Sequence, residues 1–185
     1  MAIFLWIILG VVILIILWLI VTYNGLIRSK NQTDEAWSDI DVQLKRRYDL
    51  IPNLIETVKG FTKQESSVLQ NVTEARTKAM NAGSPKAKGE AENMLTSTLK
   101  TLFAVSENYP ELKSNENFGK LQDELSDTEN KIQASRRFYN ANVRDYNTKL
   151  EVFPTNMIAK SLGFSQREFF EIEAEEERKN VSVKF

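Results

Sequence analysis

Residues 2–22, AIFLWIILGVVILIILWLIVT, carry no charge and no proline, and a single glycine interrupts the apolar run. Nothing else in the chain limits its fold as much. A helix of about 20 such residues, rising about 1.5 Å per residue, spans roughly 30 Å, the thickness of a bilayer's hydrocarbon core. A cleaved signal peptide would carry a basic leading region and an Ala-x-Ala-like site. Neither is found, so a retained transmembrane anchor is expected. Trp6 lies near one end of the run, and Trp18 and Tyr23 near the other, where amphipathic rings favour the membrane interface. Only Met1 precedes the run, whereas Arg28 and Lys30 follow it closely. The positive-inside rule then places the N-terminus outside and the main domain in the cytoplasm.

All charged residues, 24 basic and 25 acidic, come after the apolar run. That near balance creates no field to attract nucleic acid, and no nucleic-acid partner is expected. The chain has no cysteine and no histidine, which excludes disulfides, thiolate chemistry, imidazole metal ligands and any triad built on histidine. No cofactor, metal or catalytic residue is assigned.

Beyond the anchor the pattern is helical. Apolar residues recur at Trp37, Ile40, Leu44, Tyr48, Ile51, Leu54 and Val58, and continue through Phe61, Leu69, Val72 and Ala75 to Ala79. At residues 83–85 a Gly-Ser-Pro run stops one helix and starts another, with Gly83 as a left-handed cap, Ser84 as N-cap and Pro85 in the first turn. The next stripe runs Ala91, Met94, Leu95, Thr98, Leu102, Val105 and Tyr109, where Pro110 ends it. From Ser114 the last long helix carries Phe118, Leu125, Ile132, Tyr139, Tyr146 and Phe153 at a spacing of seven. The companion coiled-coil seam at 121, 128, 135, 142 and 149 is mostly small or polar, which suits a bundle better than a two-stranded zipper. The expected fold is all-α: an N-terminal transmembrane helix (2–22), an elongated antiparallel bundle of three to four long helices (23–163), and an acidic tail (164–185).

Pro52 sits inside RRYDLIPNLIETVKG, residues 46–60. A proline in a helix interior forfeits the hydrogen bond to the carbonyl four residues back, here that of Tyr48. The apolar phase nevertheless passes through it, with Leu44, Ile51 and Val58 seven apart. A kinked, continuing helix is therefore expected, rather than a turn, with Asn53 or a neighbouring helix satisfying the freed carbonyl. Arg46 lies 24 residues past Thr22, roughly 36 Å out along an upright helix and several Debye lengths from lipid. Lys45, Arg46 and Arg47 are accordingly read as ion-pairing residues, with Asp41, Asp49 or a packed acidic helix.

Two blocks then point to a family. YNGLIRSKNQTDEAWSDIDVQLKRRYDLIPNLIETVKG follows the single apolar span, and RRFYNANVRDYNTKLEVFPTNMIA stands near the end. Together they resemble the LemA family of bacterial membrane proteins over nearly the whole chain, including the VSVKF ending. The resemblance implies a bacterial single-span anchor bearing a helical bundle, and it brings no activity, cofactor or catalytic residue with it.

Other clusters read as structural. Asp39 and Asp41 diverge on a helix and cannot share a metal. The glutamates at 171, 173, 175, 176 and 177 lack the glycine turn of a calcium loop. Ser165 and Glu168 form a capping-box pattern opening a short acidic helix. Tyr139, Asn140, Asn142, Arg144, Asp145 and Tyr146 are expected to form a buried polar network setting helix register, with a partner groove as the alternative. The glycosylation-like patterns at Asn31, Asn71 and Asn180 are read as chance.

The expected function is a membrane-anchored scaffold or assembly protein acting through protein–protein contacts and without chemistry. The alternatives are a regulatory adaptor for a neighbouring membrane protease or sensor, and an enzyme using Glu, Lys or Tyr. A helix from Gly25 to Ala82 would be roughly 85 Å long, and the next helix, about 36 Å, covers only its distal part. That leaves Trp37, Ile40, Leu44 and Tyr48 as an apolar stripe for a second copy, so a homo-oligomer is expected.

Overall fold

The computed structural model describes residues 1–62 and 65–170. The described residues are helical, with no strand among them: α1 (Ala2–Lys59), α2 (Ser66–Asn81), α3 (Pro85–Ser106), α4 (Pro110–Lys113), α5 (Glu116–Glu151) and α6 (Asn156–Ala159). The apolar segment and the first bundle helix are one helix of 58 residues, with no break after Thr22. Its most apolar stretch has a mean hydropathy of 3.3 and is wholly unburied by protein. Among the described residues, α1 alone is long and apolar enough to cross a membrane. The described residues divide into two compact units, Met1–Asp39 with Arg137–Arg167, and Ile40–Arg136 with 168–170.

In the second unit, α1 passes through Pro52 without interruption. The carbonyl that Pro52 cannot serve is not left bare: Arg76 of α2 donates from Nε to Tyr48 O at 2.8 Å. A neighbouring helix thus supplies the hydrogen bond that the proline removes, sparing a buried acceptor its desolvation penalty. The helix does not continue to Ala82 as expected. It closes at Gly60, whose N–H reaches Glu56 O and Thr57 O, while Phe61 and Thr62 both donate to Val58 O at 3.0 Å. Glycine is a poor helix interior residue, and the polar run after it offers no apolar face to hold the helix on course. The chain reverses before Ser66, and α2 returns along α1, with Ser66, Leu69 and Thr73 facing Lys59 and Ile55 across a cleft.

That extra reversal changes the direction of everything after it. α3 now runs parallel to α1, pairing Lys88 with Asp41 and Glu92 with Arg47. In the first unit α5 returns antiparallel to α1: the Tyr139 ring lies 5.2 Å from that of Trp37, and Lys149 Nζ donates to Ser29 Oγ at 3.1 Å. Leu150 joins Leu26, Tyr146 and Ala159 in one buried cluster. The stripe expected to meet a second copy is therefore spent inside the chain. Ile40 and Leu44 are 0% and 1% exposed, Tyr48 is buried, and the Trp37 ring packs at a tilt against that of Tyr139. Burying each such side chain is worth about 1.5–3 kcal/mol, which keeps the stripe closed.

The seven-residue repeat on α5 is realised at Phe118, Leu125, Ile132, Tyr139 and Tyr146, each at most 5% exposed. Phe153 breaks it, because α5 ends at Glu151 and Phe153 is 77% exposed. On α3 the buried face is Ala91, Glu92, Leu95, Leu99, Leu102 and Ser106, so the stripe is rotated from the one expected and Met94 lies outside. Ser84 caps α3 by accepting from Ala87 N, with Pro85 in the first turn. Gly83 does not take up the left-handed conformation assigned to it; α2 ends in extended backbone at Ala82. Asn115, rather than Ser114, caps α5, its Oδ1 accepting from Phe118 N at 3.0 Å. Residues 165–170 are not helical, so the capping box at Ser165 does not form; the glutamates from 171 onward and the VSVKF ending lie outside the described residues.

Candidate functional site

The most unusual chemistry lies inside the second unit, where α1, α3 and α5 share a buried ionic cluster. Ile40, Arg47 and Leu54 are seven apart on α1, so Arg47 occupies a core position and is 4% exposed. Glu92 stands in the same relation to Leu99 and Ser106 on α3 and is 1% exposed. Arg47 Nη1 donates to Glu92 Oε2 at 3.2 Å, and Nη2 donates to Thr96 Oγ1 at 2.8 Å. The same Nη1 is 2.9 Å from Glu129 Oε2 of α5, but its N–H direction misses that oxygen, so the contact is ionic without being a hydrogen bond. Tyr48 OH donates to the other oxygen of Glu92, Oε1.

Burial raises the Glu92 carboxyl, and Arg47 and Tyr48 pull it part of the way back. Burial also pushes the Tyr48 phenol up, reinforced by the charge of Glu92 beside it. The proton between them therefore stays on Tyr48. A buried charge is tolerable only when paired, and Arg47 of α1 is paired with Glu92 of α3 and with Glu129 of α5. The arrangement locks three helices in register. Beside it opens a groove of about 260 Å³ between α3 and α5, lined by Arg47, Thr96, Lys100, Phe103, Gln122 and Asn130 among others.

Arg46, one residue earlier, behaves differently. It is 44% exposed and pairs loosely with Glu124 and Asp127 at 3.8 and 3.9 Å. A packed acidic helix is thus the partner of both arginines, while Asp41 is taken by Lys88. Asp39 and Lys45 are exposed.

The residues expected to form a polar network on α5 differ in their exposure. Tyr139 and Tyr146 are buried, whereas Arg144 and Asp145 are exposed. Asn140 is half-buried, and Asn142 is turned onto its own helix, donating to Phe138 O at 2.9 Å. The residue that does tie a segment down is Asn147, whose amide accepts from Arg167 N and donates to Arg167 O, both at 2.9 Å. Arg167 in turn reaches Asp34 at 2.8 Å. No spacing in the sequence announces Asn147, because its partner is an irregular segment 20 residues on. Glu92 did carry a signal, its seven-residue relation to Leu99. Of the interface residues, Trp6 and Arg28 are exposed, Trp18 and Lys30 partly so, and Tyr23 packs edge-on against Phe164 at 5.8 Å.

The model of the LemA family matches residues 36–185. The chain belongs to the LemA family. The match takes in the α1–α3–α5 cluster, the second sequence block, and the first block from Ala36 onward. Among similar proteins, the LemA protein of Metamycoplasma hominis is 29% identical over 140 residues, covering 75% of this chain and 64% of that protein. Magnetosome protein MamQ 2 of Paramagnetospirillum magneticum is 25% identical over 179 residues, covering 83% of this chain and 66% of that protein. MamQ of Magnetospirillum gryphiswaldense is 23% identical over 178 residues. The chain spans just under two thirds of the length of these LemA-family relatives. None of their names denotes a catalytic activity. An apolar helix of spanning length in a LemA-family chain fits a membrane-anchored bacterial protein.

Proposed function

We propose that this LemA-family chain is a membrane-anchored scaffold that acts through protein–protein contacts and performs no chemistry of its own. The observation that carries the reading is the unbroken α1, in which the segment suited to the bilayer and the central helix of the bundle are one element. Such a helix ties the bundle covalently to the membrane segment. The buried Arg47–Glu92–Glu129 cluster adds a fixed helix register, and so a fixed outer surface. The magnetosome relatives are named for a structure and not for a reaction, which agrees with an assembly role. The stripe of Trp37, Ile40, Leu44 and Tyr48 is closed off, so self-association belongs to exposed faces, such as the groove between α3 and α5.

Photo-cross-linking residues placed at Lys100 and Gln122 on the groove, and at exposed Thr101 and Asp123, test this in intact membranes. The expected result is a discrete adduct at the groove positions, identified by mass spectrometry as a second copy or one recurring protein. Uniform, adduct-free behaviour at all four positions would remove the scaffold reading.

A further inference from the structure

The end of α5 leaves a set of apolar side chains uncovered. Phe153 is 77% exposed, Met157 73%, Val152 47% and Leu162 39%. Elsewhere in the bundle exposed apolar side chains are scattered singly, which is ordinary. Here they fall within one turn, and exposed apolar clusters mark surfaces that meet a partner or a membrane.

The position of the turn decides between those two. All of it belongs to the unit that contains the apolar segment of α1. α5 descends along α1, with Tyr139 beside Trp37, Lys149 bonded to Ser29, and Leu150 clustered with Leu26. α5 ends at Glu151, one residue past Leu150, so the turn begins directly beyond the Leu26 cluster. α6 then folds Ala159 onto Leu26 and Leu150. Gly163, at φ +80°, closes that helix in a left-handed cap, with Phe164 N bonded to Ala159 O at 3.1 Å. The cap turns Phe164 edge-on against Tyr23. Tyr23 is the residue immediately after the apolar run, and Leu26 is only about 4.5 Å further along the axis. The polar interface of a bilayer is itself roughly 5–7 Å thick on each side. From Val152 to Gln166 the chain carries a single charge, that of Lys160, and no acidic residue.

We infer that the 152–162 turn is a second membrane contact, with Phe153, Met157, Val152 and Leu162 seated in the lipid interface and Lys160 among the headgroups. The inference rests on α1 crossing the bilayer. Shallow burial of apolar side chains beside a basic one is the usual chemistry of interfacial segments. With two contacts the unit of residues 1–39 and 137–167 cannot turn freely about the axis of its own apolar segment.

The chain has no cysteine, which makes site-specific labelling direct. Full-length protein carrying Phe153→Cys, Met157→Cys or Ser161→Cys is labelled with an environment-sensitive fluorophore and reconstituted into phosphatidylcholine–phosphatidylglycerol vesicles. Ser161→Cys removes no apolar side chain and guards against misfolding of the other two. Val12→Cys reports the span, and Ser38→Cys reports a site about 24 Å beyond Thr22 along α1. Labels at 153, 157 and 161 are expected to lose most of their emission to lipids spin-labelled near the headgroup and to resist aqueous iodide. Labels at 38 are expected to do the reverse. If position 12 is embedded while 153, 157 and 161 behave like 38, the turn is in water and the inference is overturned, with the anchor standing. Shielding of the turn from both lipid and iodide would show protein cover and would overturn it equally. A label at position 12 outside the lipid would remove the anchor and the second contact together.

Discussion

Helix α1 takes part in two largely apolar interiors, and one of them has a buried ionic cluster at its centre. In the unit of residues 40–136 its central contact is charged: Arg47, nearly invisible to water, is shared between Glu92 and Glu129. In the unit of residues 1–39 and 137–167 its central contacts are apolar and aromatic, with Leu26 among Tyr146, Leu150 and Ala159, and Trp37 against Tyr139. Apolar packing is non-directional and tolerates small slips, whereas a buried guanidinium is satisfied at one register only. The charged interior therefore specifies, and the apolar one mainly stabilises.

The sharpest way to break that contrast is Arg47→Ala. It strands Glu92 without its cation and should cost about 3–5 kcal/mol, read as a lower urea midpoint in detergent solution. A loss near zero would mean that the cluster is hydrated and that the contrast is false. Leu26→Ala on the apolar side should cost about 2–5 kcal/mol by leaving a cavity, with no dependence on pH. A smaller effect, visible as a slope, distinguishes the two interiors directly. The Glu92 carboxyl is raised in the folded protein, so its favourable contribution is complete below the unfolded value of 4.5 and is lost as pH rises through the folded value. The stability of the natural protein relative to Glu92→Gln should therefore grow as pH falls from neutral toward 4.5. A flat difference would contradict the raised carboxyl. The smallest effect belongs to Arg46→Ala, whose partners are half in solvent; about 0–1 kcal/mol is expected, and less in high salt. Two adjacent arginines differing several-fold in cost would locate the specificity in burial, not in charge.

The sequence alone determined what local periodicity can determine. The apolar run, the helical phase, the Ser84–Pro85 start and five of the six seven-spaced residues of α5 all depend on neighbours within a turn or two. Even the freed Tyr48 carbonyl was legible, because Pro52 names the acceptor it abandons. What only the tertiary structure decided depends on pairing over long separations. Ending α1 at Gly60 instead of Ala82 added one reversal, sent α5 back along α1, and closed the stripe that had been expected to receive a second copy. The partners of Arg47 lie 45 and 82 residues away, on helices whose rotation is set by what they bury. Helical spacing places Arg47 and Glu92 each on an inward face, but which inward faces meet is settled by the competition of whole helices for apolar contact. That competition is a property of the folded chain, and no window of the sequence contains it.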